Sequence, residues 1–490
     1  MVYLMVPKRR RGLRNAVDPG KAQREIIEHV LGVLASDVRA AFFACLHPCF
    51  PVLDEKTFAD MWRVDSNRIS SALICDMYAS ALQVWSRSSL LRNQVRPDPH
   101  FIWNQAVIAL QDDFMAPTIS TVHAAVLDLL GRPVIGVTGN IVNAGRIVTL
   151  AQSLGLHRDP SSWKATSHEK NVRINLWWGV LIHDYWSSVG HGIPPTISPH
   201  YHDVPLPTFL SAVDADTIQK AMELRSNATF VQLCKLSQIL GDLLPHVYSL
   251  RKAPDEILRH LLKIESALDD WVHALPEFIH PDHISPGSIN GASNMWFAYL
   301  SLRVLVCRLS YKAVLEQEEE AHEARAYRLV ELRRTVLKAA GYIISLTEDQ
   351  LQEFWMPYTS YLLVTTATIL LRCTIECNDS TVQKTCIAKL VAFRDRLRSA
   401  RDSLEWDLAD FCLERCEEPI QKVADAIGVP PDHLTVATAS NISIVPPPEE
   451  PHWDPVDFSS ASNLFLPIDS LDYPWETLWD GIEGPWSIQI

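Results

Sequence analysis

Apolar residues return every three or four positions across nearly the whole stretch from residue 21 to residue 428, and two-residue alternation is scarce. A period near 3.6 gathers apolar side chains on one stripe of a helix, whereas a half-buried strand needs a period of two. Arg24 to Arg39 shows the pattern, with Ile26, Ile27, Val30, Leu31, Val33, Leu34 and Val38 at helical spacing. Asn140 to Leu154 repeats it and stops at Gly155, and Glu169 to Val189 carries Trp177, Trp178, Leu181, Ile182 and Trp186 on or near one face. Val122 to Leu130 is apolar and ends before Gly131-Arg132-Pro133, a sequence that stops a helix. Thr57, after Asp54-Glu55-Lys56, is placed to cap a short helix through Phe58, Met61 and Trp62. Further helical runs cover about 216–250, 254–275, 291–348, 351–377, 380–401 and 403–427. Only short stretches such as Leu434 to Ser443 read as extended. The expected fold is all-α, a single large multi-helix domain over residues 21–428. A chain that is 47% hydrophobic and 21% charged can bury such a core.

Prolines punctuate this body. Pro194, Pro195, Pro199, Pro205 and Pro207 make Gly190 to Pro207 a long non-helical connection, and Pro276, Pro281 and Pro286 mark a second from Leu275 to Gly291. No internal repeat is present, which argues against a solenoid. Pro430-Pro431 and Pro446-Pro447-Pro448 mark the far edge of the folded part. Charge of a single sign is concentrated at each end. Residues 1–20 are expected to be a basic, disordered segment holding Lys8, Arg9, Arg10, Arg11 and Arg14. Residues 429–490 are expected to be a proline-rich linker and an acidic tail. Nine acidic residues and no Lys or Arg fall in 446–490, and they account for -9 of the net -14. That balance excludes a nucleic-acid binder basic along its whole length. No run of ~18 unbroken apolar residues suggests a membrane span, the richest candidate being Tyr361 to Leu371.

Catalytic spacings are missing. There is no G-x-S-x-G, H-E-x-x-H, G-x-x-x-x-G-K-[ST] or G-x-G-x-x-G. Cysteines stand four apart at Cys45/Cys49, Cys373/Cys377 and Cys412/Cys416, which puts each pair on one helix face. Two such pairs can make a four-thiolate metal site, but these lie among Leu, Phe and Ile and read as small core fillers. His157-Arg158-Asp159 reads as a helix-terminal turn and His183-Asp184 as mid-helix, with no nucleophile or metal ligand placed to join them. No catalytic and no metal residue is assigned, and no enzyme activity is expected.

A family resemblance emerges from several separated motifs in order. They are Leu154-Gly155-Leu156-His157-Arg158-Asp159, Trp163, Glu169 to Arg173, Leu176-Trp177-Trp178, His183-Asp184, Gly192-Ile193-Pro194 and Asp203-Val204-Pro205. Upstream lies His47-Pro48-Cys49-Phe50-Pro51-Val52-Leu53-Asp54-Glu55-Lys56-Thr57-Phe58. Together they resemble the fungal-specific transcription factor domain, the middle regulatory region of Zn₂Cys₆ binuclear-cluster transcription factors. Asp128 to Pro133 is similar to the branch of cutinase and acetamidase regulators. The clearest motifs span 47–207. Their residues read as scaffold: Trp163 packs a turn, and Arg173 stacks on an indole or pairs with Asp159.

The resemblance implies a nuclear regulator of RNA polymerase II genes. The family's DNA-reading module is a six-cysteine cluster holding two zinc ions, and none can be drawn here, since no cysteine precedes Cys45. The expectation is therefore no cofactor in this chain, with zinc only if such a cluster is encoded upstream, and DNA met only indirectly or through a longer isoform. Lys8 to Arg14 is a nuclear-import candidate. Leu471, Tyr473, Trp475, Leu478 and Trp479, set among acids, form a candidate activation segment that docks on coactivators. The competing reading is that the tail folds back on the body. Further candidate partners are a small-molecule inducer and a second copy of the chain, with no membrane. The alternative function is a small-molecule-binding helical accessory protein with a pocket between Trp177 and His202.

Overall fold

Short polar side chains open many of the helices by accepting backbone N–H groups that the first turn leaves unpaired. Asp54 accepts from Thr57 at 2.7 Å, Asp98 from His100 at 2.9 Å, Thr166 from Glu169 at 3.2 Å and Asp379 from Thr381 at 2.8 Å. Thr347 and Gln350 form a reciprocal capping box. The computed structural model describes residues 18–131, 137–209, 218–249, 253–280, 289–317, 322–377 and 379–427. The helices are α1 (Lys21–Leu31), α2 (Ala35–Ala41), α3 (Glu55–Asp65), α4 (Ser71–Ala81), α5 (Pro99–Asp113), α6 (Ile119–Gly131), α7 (Val137–Ser153) and α8 (Ser167–His191). There follow α9 (Ile218–Val247), α10 (Pro254–His273), α11 (Ala292–Leu315), α12 (His322–Ser345), α13 (Glu348–Leu351), α14 (Thr359–Ile375), α15 (Ser380–Leu404) and α16 (Asp410–Ile427). No strand occurs among the described residues, so the all-α expectation holds.

Several sequence readings change. Thr57 is not the cap of α3; it lies in the first turn, and Asp54, three residues earlier, is the acceptor. The run 291–348 is two helices, α11 and α12, which pack extensively on each other. The run 351–377 begins too early: α13 ends at Leu351, and α14 fills only Thr359–Ile375. Helices α4 and α5 fall outside the helical runs expected from the sequence. Every residue of α4 is buried, against α1, α5 and α6, so it has no polar face to alternate with. The longest strongly apolar helical run is Lys21–Cys49, not Tyr361 to Leu371, and by length and composition alone it could cross a membrane. Here it is broken into consecutive helical pieces and lays Ile27, Leu31, Val38, Phe42 and Leu46 into the core.

One hydrophobic cluster runs from Ile27 in α1 to Ala424 in α16. Helix α8 bridges it, packing on α6 and α7 and also on α9 and α14. Trp177 and Trp178 are fully buried there. Gly241 lets α9 approach α8 closely, since a Cβ at that position would stand 2.5 Å from Tyr185 Cε2. The import candidates Lys8, Arg9, Arg10, Arg11 and Arg14, the extended stretch 434–443 and the tail residues Leu471, Tyr473, Trp475, Leu478 and Trp479 lie outside the described residues.

Candidate functional site

The motif residues converge on α8 and the chain that flanks it. After α7, Gly155 takes φ 73°, the left-handed geometry that ends a helix. Leu156 then turns into the core and donates its N–H to Ala151 O at 2.9 Å. Asp203, far along the chain, clamps the turn that follows. Its carboxylate accepts the Asp159 N–H at 2.7 Å and pairs with Arg158 at 2.9 Å, while its own N–H donates to His157 O at 3.3 Å. Asp159 is occupied locally, accepting the Ser161 N–H at 2.8 Å and hydroxyl at 2.6 Å, and these bonds hold its carboxyl below the usual range.

Arg173 does not pair with Asp159. It bonds to Glu169, one turn earlier, at 3.4 Å, and its guanidinium lies 5.2 Å from the centre of the Trp163 ring. The cation sits on the face of the indole, so Trp163 is pinned over the start of α8. Trp178 donates from Nε1 to Pro205 O at 2.7 Å, and Trp177 packs between the rings of His157 and His202. Asp184 is 5% exposed and holds the proline loop, accepting the N–H of Thr196 at 3.0 Å and of Ile197 at 2.7 Å. Gly192, at φ 71°, ends α8. Pro194 follows it into the loop that these bonds stitch down.

The upstream motif docks on the same helix. His47 donates from Nε2 to Leu53 O at 2.9 Å, closing the His47-Pro48 turn. Asn175 donates to Pro51 O at 2.9 Å, and Phe50 is buried edge-on to His183 and Phe230. This arrangement is a brace: His47, Asn175, Trp178, Asp184 and Asp203 each hold a backbone partner. His183 bonds to Tyr358 Oη at 2.7 Å, and burial drives its pKa down to about 3, which keeps it neutral. Burial raises the carboxyl of Asp184, and its two N–H donors oppose that shift.

Among the described residues no group of three or more His, Cys, Asp or Glu side chains could hold a metal ion. Cys45 is half-buried and Cys49, Cys373, Cys377, Cys412 and Cys416 are buried, as core fillers would be. Burial pushes the thiols of Cys45, Cys49 and Cys373 up. Two surface cavities lie away from the stretch between Trp177 and His202. One of 770 Å³ is bounded by α2, α3 and α9, with Arg39, Trp62, Arg87 and Met222 in its walls. The other, of 360 Å³, lies on the far side of α3 and includes His123, which no local sequence pattern marks.

Residues 40–273 match the model of the fungal specific transcription factor domain. An uncharacterized transcriptional regulatory protein of Schizosaccharomyces pombe is 24% identical over 68% of this chain and 48% of its own length. Transcriptional activator protein DAL81 of Saccharomyces cerevisiae is 24% identical over 64% of this chain and 36% of its own. Cutinase transcription factor 1 alpha of Fusarium vanettenii is 23% identical over 50% of this chain and 28% of its own. The chain thus spans about half or less of the length of these relatives. No solved structure matches it.

Proposed function

We propose that this chain, which carries the fungal specific transcription factor domain at residues 40–273, is a fungal transcription regulator that acts in the nucleus and is not an enzyme. The observation that carries the reading is the coincidence of the matched region with the α8 brace. The same residues that give the resemblance hold α8 to the chain that flanks it. Transcriptional relatives aligning over 64% and 68% of the chain support it independently.

In this reading the helical body is a regulatory platform. Lys8 to Arg14 directs import, and the acidic-aromatic segment around Trp475 and Trp479 recruits coactivators. DNA is reached through a partner, or through a six-cysteine zinc cluster on a longer form of the protein. The 490 residues contain no such cluster, and their net charge of -14 opposes phosphate binding by the body.

Imaging a fluorescently tagged chain in a fungal host tests the localisation. Nuclear accumulation is expected, and changing Lys8, Arg9, Arg10, Arg11 and Arg14 to Ala should disperse it into the cytoplasm. A native chain excluded from the nucleus under all growth conditions would refute the reading.

A further inference from the structure

Helices α1 and α5 pack on each other, and both lie on α4, every residue of which is buried. Their inward faces are Arg24, Ile27 and Leu31 on α1 and Ile102, Ala106 and Ala109 on α5. Two helices laid side by side on one buried helix turn their opposite faces the same way, to solvent. Those outward faces carry large apolar side chains. Ile26 and Val30 on α1, with Val33 in the turn after it, are 41–91% exposed. Phe101 and Ile108 on α5, with Met115 just beyond its end, are 41–56% exposed. On the order of 500 Å² of apolar surface is uncovered there, near the top of the range for the largest patch on a single chain. A standard protein–protein interface takes about 800 Å² from each partner, a little over half of it apolar. The patch therefore has the size of one side of such a contact.

The α5 stripe also says what fits it. Phe101, Asn104, Ile108, Gln111 and Met115 are all exposed and none is charged, in a chain that is 21% charged. Loss of charge marks the centre of a protein–protein contact, whereas a helix face kept in water is normally charged. Intervals of three and four put these positions on one line of the helix. Phe114 keeps helical angles and donates its N–H to Leu110 O at 3.0 Å, so Met115 continues that line. The line is symmetric, with Phe101 and Met115 each seven residues from Ile108. A second α5 laid antiparallel across it, Ile108 on Ile108, sets Phe101 against the partner's Met115 and Gln105 against the partner's Gln111. Asp112, half-buried at the edge of the stripe, comes opposite the partner's Asn104, whose amide can donate to it. Each contact then occurs twice, once in each direction, as a two-fold interface requires. A thioether meets a ring, amides meet amides, and along this line no like charges face each other.

We infer that the α1–α5 face is the interface of a homodimer, in which α5 of one protomer lies antiparallel on α5 of its partner about Ile108, flanked by the α1 stripe. This goes beyond the regulatory reading and does not rest on it, since self-association is measured on purified protein without any transcription assay.

Sedimentation equilibrium of the full chain tests the proposal. The native protein should rise from the chain mass of 55.2 kDa toward twice that mass between about 0.1 and 50 μM, within the affinities that interfaces of this size reach. Ile108→Arg sets two cations against each other at the two-fold axis and should raise the dissociation constant by at least about tenfold. Leu262→Arg, at a 56% exposed position on α10, should leave it unchanged. Phe101→Lys and Met115→Glu should each weaken the dimer by about tenfold, and a chain carrying both should regain it, because each new cation then meets a new carboxylate across the axis. An unfolded chain cannot show that recovery, so the double variant decides the matter even where a single one folds badly. A native chain that stays at 55.2 kDa throughout leaves the face to another partner and overturns the proposal. So does a folded Ile108→Arg chain that dimerises like the native one, a dimer lost with Leu262→Arg, or a double variant no tighter than either single one.

Discussion

Replacing Asp184 by Ala should free the loop from Gly192 to Pro207 and destabilise the body by about 2–4 kcal/mol. The carboxylate is 5% exposed and accepts two backbone N–H groups, from Thr196 at 3.0 Å and Ile197 at 2.7 Å. Hydrogen bonds to a charged group contribute about 1.5–3 kcal/mol each, and both donors lose their acceptor together. Part of that loss is offset, because alanine also removes the cost of holding a charge in a buried place, the cost that raises the Asp184 carboxyl. The net is therefore nearer the lower end of the sum. With an unfolding entropy of about 2 cal/mol/K per residue over roughly 400 residues, each kcal/mol moves Tm by just over ~1 °C. A fall of about 2–5 °C is expected by differential scanning calorimetry. Asp184→Asn should fall between native and alanine, since the amide keeps one acceptor and turns a donor toward the other N–H. Limited proteolysis gives the local readout, with cleavage between residues 192 and 207 accelerating in the alanine variant. An unchanged Tm with unchanged loop cleavage would show that the loop is held by something other than Asp184.

Glu353 is buried, which raises its carboxyl from 4.5 to about 7, against the opposing bond from the Ser293 N–H at 2.9 Å. Because the folded value lies above the unfolded one, its stabilising contribution is present below pH 4.5 and is lost as pH rises toward 7. Glu353→Gln should therefore gain on the native chain by up to about 3 kcal/mol across that window, and a native–variant difference constant with pH refutes it. Gly241→Ala drives a Cβ to 2.5 Å from Tyr185 Cε2, so urea unfolding should show a loss of about 1–3 kcal/mol despite alanine's better helix propensity; an unchanged or higher midpoint refutes it. Residues 446–490 fused to an unrelated DNA-binding domain should activate a reporter gene. Trp475, Leu478 and Trp479 changed together to Ala should abolish that activity, Glu449 and Glu450 changed to Ala should do little, and a fully active triple alanine would favour fold-back over docking.

What could be read in the sequence depended on how each residue meets its partner. Helix α8 was legible because its tryptophans lie at helical spacing, but its end was not: the helix runs through Gly190 to His191 instead of stopping at Val189. Helix α4 was not, because a helix buried on every side shows no alternation of apolar and polar positions. The run 291–348 looked continuous because α11 and α12 are both rich in apolar residues, and residues 316–321 between them contain neither glycine nor proline. Asp54 outdid Thr57 as a cap because the first turn of α3 starts right after it, a boundary that periodicity does not fix to the residue. The brace was legible as a list of motif residues but not as contacts. Asp203 meets Asp159 across 44 positions and Trp178 meets Pro205 across 27, and neither separation leaves a local pattern. His123 carried no signal at all, since one histidine within an apolar helix resembles any core histidine until its unpaired Nε2 is seen.

The most direct test of the regulatory account is to tether the whole chain, 1–490, to a heterologous DNA-binding domain and measure reporter transcript by quantitative PCR. The promoter needs a moderate basal level, so that a rise and a fall are both visible. The account predicts a clear change that depends on tethering, and a loss of that change when Asp184→Ala loosens the brace. A stable, nuclear, tethered chain that leaves the transcript at its basal level would contradict it.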